Sequence, residues 1–221
     1  MNSIEENLIH IQKTIPEDVI LVAVSKTKPI SDVMEAYQAG QRIFGENKIQ
    51  EMTQKWEALP KDISWHMIGH VQTNKVKYMA PYVDTIHAVD SLKLLKEINK
   101  QALKHNRTIN CLLQIKIAEE ESKFGLSNQD AIHLLNSEEV KLLTNINIIG
   151  LMGMATFTDN TEQIKNEFNT IQSLFNTLRI THPTLRTLSI GMSGDYTIAI
   201  EKGSTMVRIG SSIFGARNYS H

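Results

Sequence analysis

The segment Val19-Ile20-Leu21-Val22-Ala23-Val24-Ser25-Lys26-Thr27-Lys28-Pro29 indicates how this chain folds. It begins with an uninterrupted apolar run, rich in β-branched residues, which is typical of a strand buried on both faces. Polar residues follow at once, and a proline then ends the stretch because it cannot continue a central strand. A buried strand that gives way to polar residues is the repeating unit of parallel α/β folds.

Similar short apolar runs recur along the chain, and amphipathic helical patterns separate them. The further runs are Arg42 to Phe44, Ser64 to Ile68, Thr85 to Ala88, Ile109 to Lys116, Ile146 to Leu151, Thr187 to Ile190 and Thr205 to Ile209. The helical patterns include Ser31 to Ala39, Lys48 to Ala58, Ser91 to His105, Gln129 to Leu135 and Glu162 to Leu178. Their predicted N-caps are Ser31, Ser91, Asn128 and Thr161. A further pattern at Ser3 to Lys13 predicts a helix before the first strand.

This alternation predicts an α/β fold, a (β/α)8 TIM-type barrel with an extra N-terminal helix. An open doubly wound sheet is the alternative, but no Gly-rich turn of the dinucleotide-binding kind follows the first run. The length of 221 residues is close to the lower limit for a barrel. No linker or repeat divides the chain, so we expect a single domain over residues 1–221.

Composition excludes several classes of partner. The 23 basic and 24 acidic residues give a net charge of -1, which favours neither nucleic acid nor a membrane surface. The N-terminus lacks the pattern of a secretory signal, and the single cysteine, Cys111, lies in an apolar run, so we expect a soluble cytoplasmic protein. His66 and His70 have the spacing of helical metal ligands, but they lie at a predicted strand end, so no metal site is expected.

Lysines follow the first strand. In a barrel the carboxyl ends of the strands and the loops after them form the functional face. An amine at the rim of an apolar core tends toward its neutral, nucleophilic form, as Schiff-base chemistry requires. Lys26 and Lys28 both qualify, because alternate residues of an extended chain point the same way. A lysine that simply extends to solvent is the alternative interpretation.

The segments after the last two runs have the composition of a phosphate site. Ser193, Gly194, Gly210 and Ser211 bring hydroxyl groups and approachable backbone N–H groups to two predicted helix starts. This is the usual phosphate position in barrels. Arg208 lies on the last strand, so we expect it to point into the barrel mouth and donate to a ligand atom or a carboxylate.

Short motifs occur in order over nearly the whole chain. They are Val22-Ala23-Val24-Ser25-Lys26-Thr27-Lys28-Pro29, Phe44-Gly45-Glu46-Asn47, His66-Met67-Ile68-Gly69, Gln72-Thr73-Asn74-Lys75, Lys123-Phe124-Gly125-Leu126, Gly150-Leu151-Met152, Gly191-Met192-Ser193-Gly194-Asp195, Val207-Arg208-Ile209-Gly210 and Ile213-Phe214-Gly215. Together they resemble the segments of the pyridoxal phosphate homeostasis protein family.

The resemblance implies a site for pyridoxal 5′-phosphate (PLP). Lys26, rather than its neighbour two residues on, would hold PLP as a Schiff base, while Ser193, Gly210 and Ser211 would hold the phosphate. Arg208 would face the pyridine nitrogen. An arginine does not readily give up a proton, so it would leave that nitrogen unprotonated and weaken the ring as an electron sink.

Three further residues are implied as neighbours of the ring. Asn47 would contact it, with His66 and Met154 close by. The sequence departs from the family at two places: Ser211 stands where threonine is common, and Asn47-Lys48-Ile49 replaces a segment that often contains an aromatic residue. The first change keeps the hydroxyl group, whereas the second alters the packing near the predicted ring contact.

The family in turn resembles the barrel half of alanine racemases. This chain ends at His221, soon after the last predicted barrel unit, so we expect no second domain of the kind that supplies an acid/base group in racemases. The resemblance therefore implies a monomeric carrier in PLP (vitamin B6) homeostasis, without catalytic residues, that could supply PLP-dependent apoenzymes. The alternatives are a PLP-dependent amino-acid racemase, using Lys26 with His66 or Tyr196, and a cofactor-free Schiff-base aldolase acting on a phosphorylated sugar.

Overall fold

A computed structural model describes residues 3–119 and 124–216. Parallel strands form a closed barrel in which each strand pairs with its neighbour in the chain and the last pairs with the first. The strands are β1 (Ile20–Val24), β2 (Ile43–Glu46), β3 (Ser64–Met67), β4 (Thr85–Val89), β5 (Ile109–Gln114), β6 (Ile146–Met152), β7 (Thr187–Ser189) and β8 (Met206–Ile209). Each overlaps one of the predicted apolar runs, and the predicted (β/α)8 barrel is confirmed.

The helices follow the predicted order, with some short additions. They are α1 (Ile4–Thr14), α2 (Ile30–Gln38), α3 (Ile49–Ala58), α4 (Val76–Met79), α5 (Leu92–Lys104), α6 (Asn128–Asn136), α7 (Glu138–Lys141), α8 (Thr161–Thr181), α9 (Tyr196–Glu201) and α10 (Ser211–Phe214). The extra helix α1 starts with a capping box, in which the Ser3 hydroxyl and the Glu6 carboxylate each accept the other residue's backbone N–H. It packs against α2 and α10. None of the helices among the described residues is long and apolar enough to cross a lipid bilayer.

The strands alternate between two apolar layers. On β5, Cys111 and Leu113 belong to the large cluster between the strands and the surrounding helices. Leu112 instead joins a small cluster with Ala88, Ile149 and Met152. Because successive side chains of a strand point to opposite faces, this small cluster is the apolar filling of the barrel itself.

The barrel interior also contains polar side chains. His66, His87, Ser189 and Arg208 are all buried on the strands, although they belong to residue types that are usually exposed or half-buried. Buried polar groups require hydrogen-bond partners, and these residues find them in one another. The interior of the barrel therefore contains a polar network beside the small apolar cluster.

Candidate cofactor site

The carboxyl ends of the strands open into a cavity of about 780 Å³. The predicted cofactor residues that line it are Lys26, Asn47, Met154, Ser193, Arg208, Gly210 and Ser211. His66 does not line this cavity. Within the described residues, the fold thus brings together side chains from the loops after β1, β2, β6, β7 and β8. Phe124 also lies on the cavity wall, whereas Lys123 of the same motif falls outside the described residues.

Lys26 lies in a tight turn directly after β1. The backbone N–H of Lys28 donates to the Ser25 carbonyl at 3.0 Å and closes the turn. Thr27 has a φ of 64°, a left-handed conformation that is unfavourable for a β-branched residue. Its backbone N–H donates to Glu51 Oε1 at 2.6 Å. A carboxylate from α3 therefore holds the strained residue beside Lys26 in place.

A buried ion network supports this turn from behind. Lys55 Nζ donates to the Ser25 carbonyl and to Glu46 Oε1, both at 2.7 Å, and to Glu51 Oε1 at 2.8 Å. Ser25 Oγ donates to the same Glu46 oxygen at 2.6 Å. Burial raises the pKa of Glu46, and the charge of Lys55 opposes that rise. Lys55 belongs to none of the sequence motifs, although its spacing of four residues from Glu51 on a helix is the signal of an ion pair.

Lys28 makes two hydrogen bonds to the chain beyond β8. Its Nζ donates to the Phe214 carbonyl at 2.7 Å and to the Ala216 carbonyl at 3.2 Å, so it anchors the segment after β8. Lys28 therefore links the turn after β1 to the segment after β8.

The loops after β7 and β8 are joined by one hydroxyl group. Ser193 Oγ accepts hydrogen bonds from the backbone N–H groups of Gly210 at 3.2 Å and Ser212 at 3.5 Å. Asp195 Oδ1 accepts from the Met192 N–H at 2.5 Å and shapes the first loop. The Ser193 and Ser211 hydroxyl groups and the backbone of Gly210 therefore lie on the cavity wall, and hydroxyl groups can donate to an anion.

Two glycines let the backbone form this wall. A Cβ at Gly210 would lie 3.1 Å from the Val24 carbonyl, so the loop after β8 rests tightly against the end of β1. A Cβ at Gly194 would meet nothing within 4 Å, and Gly194 lines the cavity. The first glycine brings the donor wall close to the Lys26 turn, and the second leaves space above it for a ligand.

Arg208 forms part of the cavity wall from inside the barrel. The prediction that its side chain points to the barrel mouth agrees with its position in that wall, although only 3% of the residue is exposed. Its Nη1 donates to the carbonyl and to Oγ of Ser189, both at 2.7 Å, and its Nη2 donates to the Gly153 carbonyl at 2.9 Å. Burial lowers its pKa to about 10, so the guanidinium remains charged at neutral pH.

His66 lies inside the barrel, where its Nδ1 is 2.9 Å from Nε2 of His87. Burial lowers the pKa of His66 to about 4 and also lowers that of His87, so both rings are neutral at pH 7. The neighbour of His66 among the described contacts is thus another histidine, because β3 directs it into the interior. Its implied place near the PLP ring stays a prediction.

The cavity has the chemical features that PLP requires. Its wall carries hydroxyl groups that can donate to a phosphate, a lysine after β1, and an arginine that can only donate. Asn47 Oδ1 is buried and finds no hydrogen-bond partner among the described residues. A buried polar atom without a partner is costly, so a ligand donor beside Asn47 would satisfy it. The donor set and this acceptor therefore fit a phosphorylated, polar ring.

A closed barrel with a lysine after β1 and an anion cradle after β7 and β8 defines the class of the alanine racemase N-terminal domain. The family of that description matches residues 1–218. An alanine racemase from Clostridium difficile 630 superposes with a TM-score of 0.81 over 99% of this chain and 58% of the racemase chain. At 15% identity, this likeness concerns the fold alone.

Relatives of higher sequence identity show the particular family. A pyridoxal phosphate homeostasis protein of Vibrio alginolyticus is 40% identical over 235 residues and covers 100% of both chains. The chain belongs to the pyridoxal phosphate homeostasis protein family. PipY of Synechococcus elongatus PCC7942, solved without PLP, is 34% identical with a TM-score of 0.90 over 96% of this chain and 100% of PipY. PipY solved with PLP bound is 33% identical with a TM-score of 0.87 over the same shares.

Proposed function

We propose that this protein binds PLP through a Schiff base to Lys26 and serves intracellular PLP homeostasis as a carrier without catalysis of its own. The observation that carries the proposal is the cavity itself, in which Lys26 and the donors of Ser193, Gly210 and Ser211 share one wall. Two comparisons support the proposal: relatives are named pyridoxal phosphate homeostasis proteins, and PipY has been solved with PLP bound. On this proposal, residues 1–221 act as one PLP-binding domain.

When bound, PLP supplies an aldehyde that a lysine amine captures reversibly. The Ser193 and Ser211 hydroxyl groups and the N–H groups around Gly210 would hold the phosphate. Arg208 would donate to the pyridine nitrogen, and Asn47 would meet a polar substituent of the ring. Met154 would pack beside the ring as an apolar contact.

A carrier fits the site better than a racemase does. Proton transfer on both faces of a carbon requires two placed acid/base groups. Of the candidates for the second group, His66 is buried against His87, and the Tyr196 hydroxyl lies 3.0 Å from Thr14 Oγ1. Neither residue lines the cavity. Neither His66 nor Tyr196 is therefore placed to act as the second acid/base group on a bound ligand.

The same cavity supports the expected setting of the carrier. The residues that we propose as PLP contacts all belong to this chain, so the proposed carrier is a monomer. The cavity lies at the carboxyl ends of the strands, which would allow exchange with PLP-dependent apoenzymes, the recipients that we propose. The buried, unpaired thiol of Cys111 suits a reducing, cytoplasmic compartment.

The test is an absorption spectrum of the purified protein with and without added PLP, for the wild type, Lys26→Arg and Lys28→Arg. Arginine preserves the charge at both positions but cannot form a Schiff base. We expect a band that borohydride reduces, lost in Lys26→Arg and kept in Lys28→Arg, with the reduced adduct mapped to Lys26 by peptide mass analysis. A band that is lost only in Lys28→Arg would move the linkage to Lys28.

Two outcomes would replace the carrier. Steady racemisation of alanine or serine during long incubation, lost in Lys26→Arg, would identify a PLP-dependent racemase. No band even after addition of PLP would leave a cofactor-free barrel, for which a Schiff-base aldolase acting on a phosphorylated sugar is the candidate.

A further inference from the structure

A row of polar side chains runs through the interior of the barrel and ends at the cavity. The Oδ1 atom of Asp84, a residue just before β4, lies 3.7 Å from Nε2 of His66. His66 Nδ1 is 2.9 Å from His87 Nε2, and His87 Nδ1 is 3.2 Å from Ser189 Oγ. Ser189 Oγ in turn accepts from Arg208 Nη1 at 2.7 Å. The row thus joins a half-exposed carboxylate to the buried arginine of the cavity wall.

The chemistry of these groups gives the row one direction. The Asp84 carboxylate can only accept, which favours the proton of a neutral His66 on Nε2 and leaves His66 Nδ1 to accept from His87 Nε2. Arg208 can only donate, so Ser189 Oγ accepts from it and still has its own hydrogen, which it can donate to His87 Nδ1. A neutral His87 that accepts at Nδ1 carries its proton on Nε2 and donates to His66 Nδ1. His66 then carries its proton on Nε2, which faces the Asp84 carboxylate.

We infer that Ser189, His87 and His66 are positioning residues that hold Arg208 in a single orientation toward the PLP ring. The inference rests on the proposed function, because the ring is the group toward which Arg208 would be aimed. It assigns His66 a role through other residues in place of a direct ring contact.

The hydrogen-bond capacity of Arg208 explains why such a row is useful. A guanidinium has five N–H donors in a rigid plane. The Ser189 carbonyl, Ser189 Oγ and the Gly153 carbonyl account for three of them. These three bonds fix the guanidinium plane of a residue that lines the cavity. A loose arginine would have to be ordered each time PLP bound, at a cost in affinity.

The row of hydrogen bonds requires both histidines to be neutral. The charged groups facing His87 are Arg208 on one side and, beyond His66, Asp84 on the other. A proton on His87 would place a second positive charge beside Arg208 and reverse the direction of its hydrogen bond to Ser189. Burial and the charge of Arg208 lower the pKa of His87, which keeps the row in one polarity.

The test is long-range proton–nitrogen correlation spectroscopy of the histidine rings in the full chain without PLP. Assignment uses His66→Gln and His87→Gln. We expect both rings to carry their proton on Nε2 in the wild type. Ser189→Ala should shift the His87 resonances, because His87 Nδ1 loses its hydrogen-bond donor and the ring can then carry its proton on either nitrogen. The matched control is Ser204→Ala, which removes a buried hydroxyl group bonded only to the carbonyls of Leu188, Ile190 and Met206 within the described contacts.

A second measurement links the row to the cofactor. Ser189→Ala should weaken PLP binding about tenfold, which corresponds to one lost buried hydrogen bond, whereas Ser204→Ala should leave it unchanged. A proton on His87 Nδ1 in the wild type, or His87 resonances unaffected by Ser189→Ala, would overturn the inference. If Ser189→Ala does not fold, the wild-type tautomers decide by themselves. Failure of the wild type to bind PLP would instead refute the proposed function and leave the tautomers intact.

Discussion

Lys55 is the residue whose replacement most directly tests how the Lys26 turn is held. In Lys55→Met the side chain keeps nearly the same length but loses its charge. Three hydrogen bonds disappear, and the Glu46 carboxylate, whose side chain is fully buried, loses its charged partner and keeps the hydrogen bond from Ser25 Oγ. Breaking a buried pair from one side costs about 3–5 kcal/mol, because the remaining charge stays uncompensated.

The assay is urea unfolding of the protein without PLP, followed by circular dichroism. A domain of this size has about 5–15 kcal/mol of stability, so Lys55→Met should still fold, with a lower midpoint. The pKa of Glu46 is already raised by burial, and losing Lys55 raises it further above its unfolded value. The destabilisation is therefore largest above that pKa and shrinks as the pH falls, because a protonated Glu46 buries no charge.

The double variant Glu46→Gln/Lys55→Met separates the charge effect from lost packing. Removing both charges should recover about 2 kcal/mol or more relative to Lys55→Met, and Glu46→Gln completes the cycle. Lys165→Met is the control, since the exposed pair of Lys165 with Glu162 should matter little. The reasoning fails if Lys55→Met costs less than about 1 kcal/mol or if the double variant is no more stable than the single one.

Three other predictions concern pH, packing and the thiol. The pKa of His66 is lowered to about 4 from 6.5, so the unfolded chain binds more protons between these values, and stability should fall by about 2 kcal/mol between pH 7 and pH 5. Urea unfolding should show that loss shrinking in His66→Gln but not in the exposed-residue control His133→Gln; equal losses would contradict it. A Cβ at Gly150 would collide with the Thr187 carbonyl, so Gly150→Ala should cost about 3 kcal/mol, measured against Gly194→Ala, where a Cβ meets nothing. Burial raises the pKa of Cys111, so a thiol reagent should label it only as fast as the chain unfolds, and rapid labelling of the folded protein would count against that burial.

The order and type of the main elements could be predicted from local sequence. The run Val19 to Val24 is short and uniformly apolar because a barrel strand is covered by helices on one face and by the barrel filling on the other. Helix starts were predicted to within two residues. Ser91 is the N-cap of α5, as predicted, but Ser127 and Asn160 cap the helices for which Asn128 and Thr161 were predicted. The N-cap of α2 is Pro29, and the prediction of Ser31 was wrong. Adjacent polar residues compete for a cap, and backbone geometry chooses between them.

Local sequence also indicated which loops would hold the ligand. Polar residues that follow apolar strands must meet at one end of a barrel, whatever the details of packing. Ser193, Gly210 and Ser211 therefore fall on one cavity wall with Lys26, as the spacing predicts. Their roles toward PLP remain predictions, which the absorption experiments test.

The partners of buried polar groups depend on residues that are distant in the chain, and only the tertiary structure decides them. Spacing alone makes Lys26 and Lys28 equivalent, and only the fold shows that Lys28 Nζ donates to the carbonyls of Phe214 and Ala216. The motif around His66 gives no sign of His87, which β4 brings beside it. Strand order and apolar filling follow from local pattern and hydrophobic burial, whereas the direction of a hydrogen bond inside the barrel exists only once the strands have closed.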